Sequence, residues 1–115
     1  MGIEVIYFMK LLFVIVSTDD ANTVQKALIK EHFQATKISS TGGFLMKGNT
    51  TFLIGAQDDK VDRIIEIIGN HSRQRKKVIP NSIVSEFGLL SSTPVEVTVG
   101  GATIFVLNVE AFRKL

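Results

Sequence analysis

The residues best equipped for chemistry lie between Ala35 and Gly55. Two strand-like stretches there flank a short loop that holds Gly42, Gly43, Phe44, Leu45, Gly48 and Asn49. Bare glycine amides can receive a phosphate, a phenyl ring can stack on a base, and an asparagine carboxamide can pair with a base edge. The same residues also have a plainer reading. A Gly-Gly pair suits a turn between strands, and Asn49 can close that turn on its own backbone. For Asn49 both readings stand. For the loop as a whole the two readings are evenly balanced, although an aromatic that follows two glycines in a loop is poorly placed for a core.

Catalytic groups are scarce elsewhere. No glycine is followed at the right spacing by Gly-Lys-Ser/Thr, which weighs against ATP hydrolysis. There is no cysteine, so disulfides, thiolate zinc sites and a cysteine nucleophile are excluded, and a reducing, cytoplasmic setting is expected. His32 and His71 are not at metal-ligand spacing with another donor; His32 reads as an exposed helix end. Asp19-Asp20 and Asp58-Asp59 each open an amphipathic stretch and read as helix caps in preference to metal ligands. A small phosphohydrolase would need a nucleophile, a base or a metal site, and the pattern offers none. The expectation is a binding protein without catalytic residues, metal or cofactor.

The net charge is +2 with a pI near 9.0. Of the 13 basic residues, Arg73, Arg75, Lys76 and Lys77 sit together, leaving 9 against 11 acidic residues over the rest of the chain. That distribution does not support a general nucleic-acid footprint. The run itself reads as a solvated loop, with local phosphate contact as the second reading. Ile3–Val16 is apolar but carries Glu4 and Lys10 and no cleavage-site pattern, so it is not read as a signal peptide, and it is too short to span a bilayer. Residues 10–115 are taken as one domain, and residues 1–9 as an N-terminal extension: a start-site artefact or an extra edge strand.

The elements that must position these groups follow from periodicity. Lys10–Val16 is a continuous apolar run of strand length. A helix follows Asp19-Asp20 and ends near His32, with Ala21, Val24, Leu28 and Ala27 on its apolar side. Phe33–Ser40 is extended, with Thr36 and Ile38 on one face. Asn49–Gly55 forms a second buried strand. Val61, Ile64, Ile65 and Ile68 stripe a second helix, with Gly69 as the residue just past its end. Asn70–Thr93 reads as a long loop. Val95–Val99 and Thr103–Val109 read as a hairpin closed by Gly100-Gly101. The order β-α-β-β-α-β-β predicts an α+β, ferredoxin-like sandwich with both helices on one face of an antiparallel sheet. The other face retains apolar residues and is expected to pack on other subunits.

A family resemblance rests on particular segments: Phe33–Thr36, Thr41-Gly42-Gly43-Phe44-Leu45, Gly48–Leu53, Asp58-Asp59, and Val99–Val106 with its Gly100-Gly101. Together they resemble the PII-like cyclic di-AMP receptors of Gram-positive bacteria, part of the nitrogen-regulatory PII-like superfamily. The resemblance runs from about Lys10 to the C-terminus, apart from Ser72–Ser92. It implies a homotrimer that binds the second messenger cyclic di-AMP in clefts between subunits and relays loop ordering to a downstream protein, with no membrane or nucleic acid involved. It implies that Gly43, Phe44 and Leu45 line the nucleotide pocket and that Asn49 bonds an adenine edge. Ala35 and Thr36 would give backbone and hydroxyl contacts, Gly55 would permit close approach, and Arg113 matches a polar C-terminal contact. Where the family pattern reads Asn-Phe-Arg, this chain has His32-Phe33-Gln34. Gln34 lacks the charge and the flat guanidinium face of arginine. The alternative expectation is therefore a PII-like module for another adenine nucleotide or an anionic metabolite.

Overall fold

The computed structural model describes residues 8–38, 48–79 and 95–115; the side chains of Ile79 and Val95 lie outside that description, as do the remaining residues. Gly42, Gly43, Phe44 and Leu45 are among the latter, as is most of the N-terminal extension.

The chain opens with β1 (Met9–Ser17) and α1 (Thr18–Lys30), followed by β2 (Thr36–Ile38) and β3 (Asn49–Gln57). A 3-10 turn (Asp58–Lys60) leads into α2 (Val61–His71), and β4 (Arg75–Ile79), β5 (Val95–Val99) and β6 (Ala102–Asn108) complete the chain. The main sheet has the order β2-β3-β1-β6 with antiparallel pairing throughout, the ferredoxin-like arrangement expected. Register assigns its two faces. Leu12 sits opposite Ile54 and Val106, and Val14 opposite Phe52 and Ile104, on the side that carries the helices. Leu12, Val14, Phe52 and Ile54 are completely buried there against Val24 and Leu28 of α1 and Ile64 and Ile68 of α2. Each such side chain contributes about 1.5–3 kcal/mol on burial.

Four local expectations are corrected. Ser17, not an aspartate, caps α1: its Oγ accepts from the Asp19 amide at 3.3 Å. Asp58 and Asp59 form the 3-10 turn and give no side-chain cap to α2. The buried stripe of α2 is Val61, Ile64, Ile67 and Ile68, whereas Ile65 is 37% exposed. The helix packs on α1 as well as on the sheet, so its buried sector is turned toward α1 and takes in Ile67. Gly69 lies inside α2. Two carbonyls of its last turns meet side chains, Ser72 Oγ donating to Ile68 O at 2.5 Å and His71 Nδ1 meeting Ile67 O at 2.8 Å.

Two larger corrections concern the C-terminal third. The segment read as a loop from Asn70 contains β4, which pairs with β5 in a separate two-stranded ribbon. Gly100-Gly101 is therefore not a hairpin turn. β5 pairs with β4 and β6 pairs with β1, so the glycines form the junction where the chain leaves the ribbon and enters the main sheet.

Candidate functional site

Asn49 opens β3 opposite Ser17 at the end of β1. Its surroundings are tied down on both sides. The Thr18 amide donates to Gly48 O at 2.8 Å, and the Thr18 and Thr50 hydroxyls meet at 3.0 Å. Asn49 is half-buried. It lines a cavity of about 380 Å³ together with Ser17, Gln74 and the segment Thr98–Thr103. That volume falls within the ordinary range for small-ligand pockets. A second cavity, on the outer helical side between Lys26, Lys30, Arg63 and His71, contains none of the predicted site residues.

Gln34, Ala35 and Thr36 are aimed by the way α1 ends. His32 has φ 65. Its amide bonds to Ile29 O at 2.9 Å and the Phe33 amide reaches back to Leu28 O at 2.9 Å. These two bonds with a left-handed residue between them form a Schellman termination. It drives Phe33 and Ala35 onto the core and leaves Gln34 and Thr36 exposed. With its side chain committed to packing, Ala35 can offer only backbone to a ligand. Thr36 pairs with Leu53, so it lies in one row with Phe13 and Phe105 on the helix-free face. Gly55, exposed, lies on the same face in the row with Leu11 and Leu107.

The middle of that face is largely apolar, with Thr51 and Thr103 beside Ile15. Leu11, Phe13, Ile15 and Leu53 are only half-buried, while Phe105 and Leu107 are 55% and 48% exposed. Phe105 was not among the residues expected to serve the site. Its signal was available in the Thr103–Val109 alternation, but its row neighbours depend on β6 pairing with β1. At the far end, the Val109 amide bonds Met9 O at 3.1 Å, which starts the exposed tail carrying Arg113 beside the beginning of β1.

Among the described residues, the predicted contacts fall at two separate ends of the sheet. Asn49 and Gly55 are separated by six residues of one continuous strand, which is roughly 20 Å at the rise of an antiparallel strand. Arg113 belongs to the Gly55 end and Gln74 to the Asn49 end.

The basic run also differs from the solvated loop expected. Arg75 donates to both carboxylate oxygens of Asp20, at 2.9 and 3.2 Å, and so pins β4 to the first turn of α1. Asp20 is buried. The hydrogen bonds Arg75 donates to this carboxylate, reinforced by the charges of Asp20 and Asp19, raise the pKa of Arg75 above its ordinary value. Lys76 pairs with Glu96 across the ribbon at 3.6 Å. Arg73 reaches Asn70 at 3.3 Å. On the helical side Arg63 holds Glu31 through two hydrogen bonds, at 2.7 and 2.6 Å, and these lower the Glu31 pKa. Among the described residues, no group of three or more His, Cys, Asp or Glu side chains gathers in a way that could hold a metal ion, and no helix is long and apolar enough to cross a membrane.

A ferredoxin-like sheet with exposed large apolar side chains on its helix-free face and a polar cavity at one end is a PII-like frame. The chain belongs to the cyclic-di-AMP receptor family, whose pattern it matches over residues 9–115. It is also similar to the crystal structure of a functionally unknown protein from Pediococcus pentosaceus ATCC 25745, with 37% sequence identity and a TM-score of 0.74, covering 96% of this chain and 100% of that one.

Proposed function

We propose that this protein is a cytoplasmic, non-enzymatic receptor that binds cyclic di-AMP in clefts between the subunits of a homotrimer and passes the signal to a protein partner through its loops. One observation carries the reading beyond family membership: the predicted contacts lie at opposite ends of β3, roughly 20 Å apart, on a face whose large apolar side chains are exposed. Within a single subunit the strand holds these two ends apart. Two neighbouring subunits packed through that face can each contribute one end to the same cleft. An exposed apolar face of this kind is also what a subunit interface requires. Thr36 and Gly55 would come from one subunit, and Asn49 with the Gly43-Phe44-Leu45 loop from its neighbour. Phe105, in the Thr36 row, adds an aromatic surface suited to an adenine ring.

Calorimetric titration with cyclic di-AMP, alongside sedimentation equilibrium, tests the ligand and the assembly separately. A complementation experiment tests the shared cleft. Asn49→Ala and Thr36→Val should each abolish tight binding, and refolding the two together should restore part of the sites, because mixed trimers contain clefts with both wild-type halves. Absence of any recovery, with mixing verified, would place both contacts in one subunit and refute the arrangement.

A second reading is favoured by Gln34, which stands exposed where the family pattern has arginine. In that reading the site takes another adenine nucleotide or an anionic metabolite, with exposed Lys77 supplying charge. A thermal-shift panel of mono-, di- and cyclic nucleotides decides between the two, since the preferred ligand must give the largest stabilisation at equal concentration.

A further inference from the structure

The Gly100-Gly101 pair is left without a role once it ceases to be a hairpin turn, and the cavity beside Asn49 supplies one. Both glycines have left-handed backbones, φ +83 and +84. A Cβ built on Gly101 would lie 3.0 Å from Cγ of Gln74. The Gln74 side chain thus rests on the bare Gly101 backbone and lines the same cavity as Asn49. It forms no hydrogen bond with any described residue, although it is exposed next to a polar pocket. Two carboxamides, from segments 25 positions apart in sequence, therefore border one space.

We propose that Gln74 is a specificity-determining residue for adenine, acting together with Asn49; the inference rests on the cyclic di-AMP reading above. The argument is one of donor and acceptor matching. Adenine carries an amino group flanked by an acceptor nitrogen on each side, N1 and N7. A carboxamide presents one acceptor and one donor side by side, the pattern that pairs with an amino group and its neighbouring acceptor. One carboxamide can satisfy only one edge. Two facing the same cavity can take both edges of a single base, each accepting one amino hydrogen and each donating to one ring nitrogen. Replacing the amino group by an oxo group protonates N1, so a carboxamide on the N1 edge can rotate and still pair. The one on the N7 edge, the place assigned to Gln74, loses the amino hydrogen its oxygen accepted and faces acceptors only, which disfavours the base. Glycine at 101 is needed because any side chain there would displace Gln74 from its seat.

The test measures discrimination as well as affinity. Wild type, Gln74→Leu and Gln74→Ala are titrated with cyclic di-AMP and with cyclic di-IMP, in which hypoxanthine replaces adenine. The expected result is a preference for cyclic di-AMP that falls about tenfold or more in both variants, in line with the discrimination a bidentate base contact provides. Melting of the unliganded protein should be unchanged, because Gln74 is exposed. If the wild type binds cyclic di-AMP and the variants keep its full preference, Gln74 has no part in base selection and the inference fails alone. If the wild type binds neither ligand, the cyclic di-AMP reading fails and takes this inference with it.

Discussion

The two junction glycines provide a quantitative test of the C-terminal architecture. In a free two-residue hairpin turn, alanine at either position would pay a similar conformational cost. In this structure the two positions differ. Each requires a left-handed backbone, which costs an L-residue roughly 1–2 kcal/mol. At Gly101 the added methyl meets only the Gln74 side chain, which can swing away. At Gly100 it would come under 3.0 Å from the Arg73 carbonyl oxygen, which is backbone and must shift bodily. That shift disturbs the bond from the Gly101 amide to Ser72 O, a contact of the kind that contributes about 0.5–1.5 kcal/mol. Gly101→Ala should therefore cost about 1–2 kcal/mol, and Gly100→Ala about 2–3 kcal/mol. For a chain of 115 residues, each kcal/mol lowers the melting temperature by roughly 4 °C. Urea unfolding of the two variants, measured at equal protein concentration because assembly also stabilises, reads the difference directly. Equal losses, or a larger loss at Gly101, would refute the packed junction and return the pair to a simple turn.

Three further outcomes follow from the same structure. Gly69→Ala should stabilise the protein by roughly 0.8–1.0 kcal/mol, the helix-interior preference for alanine, because Gly69 lies inside α2 with nothing within 4 Å of an added Cβ; a loss in urea unfolding would mean that the helix ends there after all. Glu31 has a pKa held below its ordinary value by the hydrogen bonds from Arg63, so its contribution is fully present above the ordinary carboxylate pKa and disappears as the pH falls through the lowered one. Unfolding curves of wild type and Glu31→Gln should accordingly separate at neutral pH and converge in acid. Gln34→Arg, at an exposed position beside Thr36, should strengthen cyclic di-AMP binding by about 10- to 150-fold, the value of one charge-assisted hydrogen bond; unchanged calorimetric affinity would show that position 34 does not reach the ligand.

The elements legible in the sequence are those whose pattern is local. The apolar run Lys10–Val16, the buried-strand stretch Asn49–Gly55 and the spacing of Val24 and Leu28 place β1, β3 and α1 within a residue or two. The continuous apolar character of β1 is explained by the two faces of its sheet: Leu12, Val14 and Val16 enter the core, while Leu11, Phe13 and Ile15 line the open face. β4 was illegible for a physical reason. Arg75, Lys76 and Lys77 carry the charge of a solvated loop, and what makes them a strand lies far along the chain. Arg75 is neutralised by Asp20, 55 positions away, and its ladder partner is Val99. Once β5 is taken up by β4, Gly100-Gly101 cannot be its hairpin to β6. A single missed pairing, β4 with β5, thus accounts for both errors.

The candidate site was legible as chemistry and illegible as geometry. Residue types named an amide, an aromatic and glycines, and a single sequence window suggested that they act together. The strand that carries Asn49 and Gly55 keeps those two residues roughly 20 Å apart within one subunit, since an extended chain holds its ends apart. The same rigidity gives the arrangement a use. If a ligand bridges the Asn49 end of one subunit and the Gly55 end of its neighbour, it reports on how two sheets are docked, and its binding free energy can act on the assembly and on the loops at each cleft. A site enclosed in one subunit would have no such leverage, because a ligand shifts an equilibrium only by its differential affinity for the two states. Gln74 sits where this leverage would leave the core. It contacts the cavity through its side chain and continues directly into β4, which is fastened to α1 through Arg75 and Asp20. Occupancy of the cavity and the position of the ribbon are therefore joined by adjacent residues of one short segment.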